Sequence, residues 1–391
     1  MSAEKSAKIL IAFAACGLLA RVVLASVSTG SYDAILWRQF ASQISERGLL
    51  DLYRSNPHFN HPPIPGWWAA SSLAVSNTIG LRFELIFKLP MIASDAVVCV
   101  LLWRIWAKRR STVFAAAVVA AYAWNLDALL LSAYHCDTDS IYAMLALLAV
   151  YLVEEKRAHL LGGLALGAAI NVKLIPIVLI IPMLGGYRDP RSAARFLAGL
   201  AIGAVPFLVP IISAGGDFIA HAMSFTSMPA YWGVNHFLRE FVRIPRFSGL
   251  ASPIMERFHL IGRYIVILAI ALLTLVMRRR ATAGAPVDRY TTCAASAAIF
   301  LILAPGLAMQ HAVLPIPLLM AAAPWFGTLY GTIVGIGAFF AYWLGWSGTI
   351  PLESTIGVTD DAAPAVQFGL LAWATLIAFV WKIFRGHDDE R

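Results

Sequence analysis

Apolar runs recur along the whole chain and are separated by short polar connections. The first covers residues 8–27. Others follow at 62–79, 83–106, 112–131, 140–153, 160–170, 174–184, 196–213, 260–277, 290–303, 313–324, 325–346 and 366–384. A helix needs about 20 apolar residues to cross a bilayer, so several of these runs predict broken or tilted helices. The pattern predicts an all-α, polytopic transmembrane helical bundle of about 12–13 membrane segments, with residues 1–391 forming one integral membrane domain. No small-residue cleavage pattern follows the first run, so it is kept as a span rather than a signal peptide.

Two connections are long: the first outer loop, 28–61, and a later one, 214–259. In the first, Leu36, Phe40 and Ile44 recur every fourth residue with Trp37 beside them, while Arg38, Gln39, Gln43, Glu46 and Arg47 fill the opposite face. That periodicity predicts an amphipathic helix lying on the membrane surface, stopped at Gly48. His61-Pro62-Pro63-Ile64-Pro65-Gly66-Trp67-Trp68 then leads back toward the bilayer, with prolines that bar helix before them and tryptophans suited to the interface.

Composition sharpens the picture. The chain of 391 residues is 60% apolar and only 13% charged, with a mean hydropathy of +0.73; that leaves too little polar surface to coat a soluble globule. The net charge of +8 is placed in short connections: Lys108-Arg109-Arg110, Lys156-Arg157, Arg188 with Arg191 and Arg195, Arg278-Arg279-Arg280, and the tail from Lys382. This is positive-inside behaviour and marks those connections as cytoplasmic; it argues against a nucleic-acid partner. Parity then requires an odd number of crossings between His61 and Lys108, yet two apolar runs lie there. Either 62–79 dips in and returns, or one basic cluster breaks the rule. Cys16, Cys99 and Cys293 lie in apolar runs and Cys136 in a loop, with no disulfide framework or CxxC metal site.

The chemically versatile residues gather in the outer connections. The first holds Tyr32-Asp33, Asp51, His58 and His61. Another holds Tyr134-His135-Cys136-Asp137-Thr138-Asp139-Ser140, and a third Asn171-Val172-Lys173 followed by Pro176. The long connection has His221, Tyr231-Trp232, Asn235-His236, Arg239, Arg243 and Arg246, and a late one Gln310-His311. Carboxylates, imidazoles and a lysine sent to one face from distant segments are how a site is built between helices. Plainer roles exist for each: Asp33 as a helix cap, Asp137 and Asp139 as solvated carboxylates, Lys173 snorkelling to lipid phosphate, the arginines on headgroups, Gln310 as a helix bridge, and His58 and His61 as interface residues rather than metal ligands. Lys88 and Asp95, seven residues apart on one helix face, suggest a structural ion pair, and Asp127 either joins the outer site or marks a helix end.

The order of these pieces resembles the GT-C class of membrane glycosyltransferases. Tyr32-Asp33 is similar to the acidic first loop of that class, Asn60-His61-Pro62-Pro63 to its Tyr-Pro-Pro or His-Pro-Pro element, residues 134–140 to a Gly-Gln/Asn-x-Asp-Ser motif, and Lys173-x-x-Pro176 to a lysine-proline motif. Residues 305–315, around Gln310, resemble a late outer loop. Cys136-Asp137 departs from the family's Gly-Gln or Gly-Asn. The resemblance implies inverting transfer of a hexose from a polyprenyl-phosphate donor to a hydroxyl of a glycolipid, glycan or protein, on the outer face of a bacterial inner membrane. Asp33 would be general base, Lys173 would stabilise the leaving phosphate, and Asp139 would orient sugar or acceptor. Tyr32, His61, His135, Asp137, His236, Arg239, Arg243 and Gln310 would bind substrate. No cofactor is demanded, although Asp33 with Asp137 or Asp139 could hold a divalent metal. A secondary transporter or lipid-linked-sugar flippase is the main alternative, followed by a non-catalytic assembly partner; no paired halves are visible to favour a transporter.

Overall fold

The computed structural model describes residues 2–224, 233–285, 287–345 and 363–385, and among them every regular element is helical. Tyr231-Trp232 and most of the connection 349–364 lie outside the described residues. The chain begins with α1 (Ala3–Val27), then α2 (Tyr32–Arg47), α3 (Leu49–Ser55) and α4 (Pro63–Ile79). It continues with α5 (Phe83–Arg109), α6 (Thr112–Ala123), the short α7 (Leu126–Leu130) running into a π-turn at Leu131–His135, α8 (Asp139–Glu154) and α9 (His159–Val172). A 3₁₀ turn leads to α10 (Ile180–Gly185), followed by α11 (Pro190–Ala204), α12 (Leu208–Ser224), α13 (Val234–Arg243) and α14 (Pro245–Thr282). Last come α15 (Arg289–Leu303), α16 (Pro315–Ala322), α17 (Pro324–Gly345) and α18 (Ala363–Arg385).

Six helices among the described residues are long and apolar enough to cross a membrane, and α6 with the segment Leu126–His135, bent by 49°, makes a seventh if that pair is one span. His159–Val172, Ile175–Gly185, Arg289–Leu303 and Met309–Ala322 are shorter apolar helices, each below the ~30 Å hydrocarbon thickness at 1.5 Å rise per residue. The chain is an integral, multi-pass helical membrane protein, and its hydropathy segments divide into full-length and short helices.

The basic connections converge at one end of the bundle. Lys108 and Arg109 pair with Glu155 at 2.7 and 3.2 Å, Arg109 with Asp288 at 3.0 Å, and Arg289 with Glu154 at 2.8 Å. Arg188 donates to the Ala281 carbonyl at 3.2 Å, and Arg280 to the carbonyls of Ile383 and Phe384. The polar connections 28–31, 133–139, 171–173 and 305–311 meet at the opposite end.

This arrangement settles the behaviour of 62–79. At its start His61 packs against Trp37, with ring centroids 4.6 Å apart. Just past its end Arg82 donates to Thr29 Oγ1 at 2.8 Å, beside the C-terminus of α1. Both ends of α4 therefore lie at the polar end, which fits the first of the two readings that the charge pattern left open, a segment that dips in and returns. It underlies the amphipathic α2, whose Trp37, Phe40, Ala41 and Ile44 are buried in a cluster with Phe59 and Phe87. Gly48, at φ +86°, ends α2 as the sequence suggested.

Charges inside the spans pair differently from expectation. Asp95 bonds Arg21 of α1 at 2.8 Å and Tyr122 at 2.7 Å, not Lys88. Arg21 also donates to the carbonyls of Ala123 and Tyr122, at the break between α6 and α7. Lys88 Nζ donates to the Ser28 and Thr29 carbonyls at 3.0 and 3.1 Å and so caps α1. Burial, rather than seven-residue spacing, chose these partners, because a buried charge must be compensated wherever packing offers a partner.

Lys173 is aimed by a close helix pair. Gly163 and Gly167 of α9 face Gly199 and Gly203 of α11, and a Cβ on any of the four would strike backbone of the other helix: Phe196, Leu200, Leu160 or Leu164. Small-xxx-small spacing permits such approach in a membrane, and Asn171 Nδ2 closes it with a 2.7 Å bond to the Gly203 carbonyl. Gly199→Leu is expected to cost about 2–3 kcal/mol in detergent denaturation. Gly249→Ala, whose added Cβ meets nothing within 4 Å, is the control and should melt like wild type; equal behaviour of the two variants would refute the close-packing account.

Candidate active site

The polar end gathers a carboxylate from the first connection, an imidazole and two carboxylates from the α7–α8 connection, and the lysine that follows α9. Ser31 caps α2 by accepting from the Asp33 amide at 3.3 Å. Asp33, in the first turn, is thus left to turn its carboxylate toward His135. Its Oδ2 lies 3.1 Å from His135 Nε2, off the line of an ideal hydrogen bond. His135 is buried, and its Nδ1 is 2.6 Å from the hydroxyl of Tyr342 on α17.

The backbone that presents these groups is tight. The π-turn ends at Cys136, a non-glycine residue at φ +69°; this is the position where the resembled motif carries glycine, and the left-handed conformation supplies the reason. Gly30, at φ +115°, has no room for a Cβ, which would meet the Tyr134 carbonyl and approach Cys136 Cβ to 3.1 Å and Lys88 Nζ to 3.4 Å. Ser31 Oγ donates to the His135 carbonyl at 2.6 Å and ties the first connection to this turn.

Lys173 Nζ donates to Asp137 Oδ2 at 3.0 Å and to Asp139 Oδ2 at 2.8 Å. Asp137 Oδ1 accepts from the Thr138 amide at 2.6 Å, and Gln310 Nε2 reaches Asp137 Oδ2 at 3.5 Å. Burial alone would raise the Asp137 carboxyl, but Lys173 beside it holds it well below the usual carboxylate range. Burial alone would likewise lower Lys173, and the two carboxylates instead hold it above the usual lysine range. Asp137 and Lys173 are therefore charged at neutral pH, whereas burial pushes the Asp139 carboxyl up to about 7, so that it carries its proton for part of the time there. Exposure separates its members: the side chain of Asp33 is 28% exposed, against 4% for Asp137 and 1% for Asp139. Of these three carboxylates, Asp33 is the one a substrate can reach.

Ligand atoms of Asp33, His135 and Asp137 all lie within 4.8 Å of one another, close enough to share one divalent ion; Lys173 already supplies positive charge to Asp137. His61, half-buried against Trp37, has its imidazole pushed down to about 4 by desolvation, which outweighs the raising effect of Asp137 and Asp33. In the unfolded chain histidine titrates near 6.5. The unfolded state therefore binds the proton first as pH falls, and stability present above 6.5 is lost toward 4. Thermal unfolding at pH 4.5 rather than 7 should reveal a loss to which His61 contributes about 1–2 kcal/mol, so that His61→Gln flattens the pH slope; an unchanged pH slope in that variant would refute the assignment.

Other residues singled out in the sequence sit elsewhere. Tyr32 is 48% exposed. Arg239 and Arg243 contact Glu240 at 3.6 and 2.9 Å. His236 is buried on α13 beside Phe237, while neighbouring Asn235 donates to the Pro305 carbonyl. Asp127 is buried in the first turn of α7. Two more residues join the site: Tyr342, beyond the sequence candidates, and His311, which the sequence placed in the late outer connection without a role. Tyr342 gave no signal, being one tyrosine in an apolar run. His311, next to Gln310, is buried within electrostatic reach of Lys173, Asp137, His135 and His61, and its Nδ1 accepts from the Ala308 amide at 3.1 Å.

No curated protein matches the chain. The sequence model of glycosyltransferase family 87 matches residues 79–305, more than half of the chain, including Asp137, Asp139 and Lys173 but not Asp33. Taken with the multi-pass helical architecture, that match places the molecule among sugar-transferring membrane enzymes: the chain belongs to glycosyltransferase family 87.

Proposed function

We propose that the chain, as a GT-C-type enzyme forming one membrane domain, moves a hexose from a polyprenyl-phosphate donor to an acceptor hydroxyl at the polar end of the bundle. That end would face outward across a bacterial inner membrane, because the basic connections of the other end fit the cytoplasmic side. The observation that carries the proposal is the junction of Asp33 with Lys173 through Asp137. Ligand atoms of Asp33, His135 and Asp137 lie within 4.8 Å of one another, and Lys173 is 3.0 Å from Asp137.

In the proposed reaction the acceptor oxygen attacks the anomeric carbon and its proton passes to Asp33. The bond from that carbon to the donor phosphate oxygen breaks, its electron pair leaves on the phosphate, and the anomeric configuration inverts. His135 orients the Asp33 carboxylate from beneath, itself held by Tyr342. Lys173 has three donors, of which Asp137 and Asp139 take two; the third faces the departing phosphate, where growing negative charge is best stabilised by a pre-positioned cation. Asp139, almost wholly buried, serves by holding Lys173 rather than by touching sugar. Gln310 and His61 line the cavity, and Arg239 and Arg243 are a second source of positive charge. The reaction as written needs no metal.

Mass analysis of envelope glycans and glycolipids from cells with and without the chain tests the proposal. The expected result is a product one hexose shorter in its absence. Unchanged glycans with unchanged donor pools would refute it, and donor accumulating on one membrane face without loss of any transferase activity would favour a flippase.

A further inference from the structure

A second cavity lies at the basic end, far from the carboxylate cluster. It has a volume of about 420 Å³ and opens between the end of α10, the last turns of α14 and the first turn of α15. Three arginines line it, Arg188, Arg278 and Arg289, against two carboxylates, Glu154 and Asp288. Both carboxylates are already matched, Glu154 by Arg289 at 2.8 Å and Asp288 by Arg109 at 3.0 Å. Arg188 and Arg278, both exposed, are left as surplus positive charge at the mouth.

One donor inside is unspent. Arg289 gives Nη1 to Glu154 and Nη2 to the Gly186 carbonyl at 2.6 Å, while its Nε is buried without a hydrogen-bond partner. A Cβ on Gly186 would sit 2.7 Å from that Nε, so glycine lets the guanidinium pack directly against this connection and fixes its charge in the cavity wall. On the outer side α14 turns Leu272 and Leu275, 54% and 44% exposed, toward the surroundings, as a lipid-facing helix does. A cationic pocket at the level of helix ends, flanked by apolar surface, matches the shape of an anionic lipid: phosphate inside, acyl chains outside.

We propose that this cavity binds the phosphate headgroup of an anionic membrane phospholipid, with Arg188 and Arg278 as its donors and Arg289 as fixed positive charge in the wall. The test is native mass spectrometry and thermal shift of the purified full-length protein titrated with phosphatidylglycerol, phosphatidylcholine or inorganic phosphate. Phosphatidylglycerol should bind and stabilise at concentrations where phosphatidylcholine does not. Its affinity should fall about tenfold or more in Arg188→Gln/Arg278→Gln. The single variant Arg278→Gln, whose exposed side chain should not be needed for folding, should lose part of that affinity at an unchanged apo melting temperature. Equal binding of the two lipids, undiminished phosphatidylglycerol binding in both variants, or full saturation of the effect by inorganic phosphate alone would overturn the assignment.

Discussion

Asp33→Asn is expected to lower turnover by about 10²–10⁴-fold while the protein still folds and inserts. The substitution conserves shape and removes only the capacity to accept a proton. Asp33 is the most exposed of the three clustered carboxylates, at 28%, and Ser31, not Asp33, caps α2, so loss of its charge should not unwind the helix. Donor binding should survive, because the proposed phosphate contacts belong to Lys173. The measurements are single-turnover transfer and melting temperature on the same preparation. Wild-type turnover would remove Asp33 from the mechanism, whereas a collapsed melting temperature would assign it a structural part.

Lys173→Met should have the largest effect on stability. An exposed ion pair contributes about 0–1 kcal/mol, but Asp137 and Asp139 are 4% and 1% exposed. Removing their shared cation leaves the ionised Asp137 without compensation, at a cost of about 3–5 kcal/mol, while Asp139, already raised to about 7 by burial, takes up a proton. Adding Asp139→Asn to the variant should recover part of that stability above pH 7, where Asp139 would otherwise ionise beside Asp137. Transfer should stay lost in both, because neither supplies a cation to the departing phosphate. Detergent denaturation of the single and double variants separates the two contributions. A Lys173→Met protein that melts like wild type would show the lysine to be a solvated bystander.

Period and composition made the helical bundle legible: repeated apolar runs, runs of positive charge in one set of short connections, and a four-residue rhythm that marks α2 through Phe40 and Ile44. The meeting of segments 32–33, 134–139 and 171–173 was also readable, because unusual polar residues fell on one side of every span. Partner choice was not. Asp95 takes Arg21, 74 positions away, and Lys88 caps α1, since in a low-dielectric interior the nearest packed partner outweighs local spacing. The return of 62–79 to its starting side was open by parity alone, and it took Arg82 on Thr29 to close it. The four glycines of α9 and α11 carry a readable small-xxx-small spacing, yet spacing does not say which helix each will meet. Tyr342 behind His135 left no mark at all, because a tyrosine in an apolar span is ordinarily core.

The most direct measurement follows a labelled polyprenyl-phosphate hexose in proteoliposomes containing only the purified chain and an envelope lipid extract. Polyprenyl phosphate should appear in step with glycosylated acceptor, the new linkage should have the opposite anomeric configuration to the donor, and Asp33→Asn vesicles should yield neither. Donor that crosses the bilayer unaltered, or a product formed with retained configuration, would contradict the proposed mechanism.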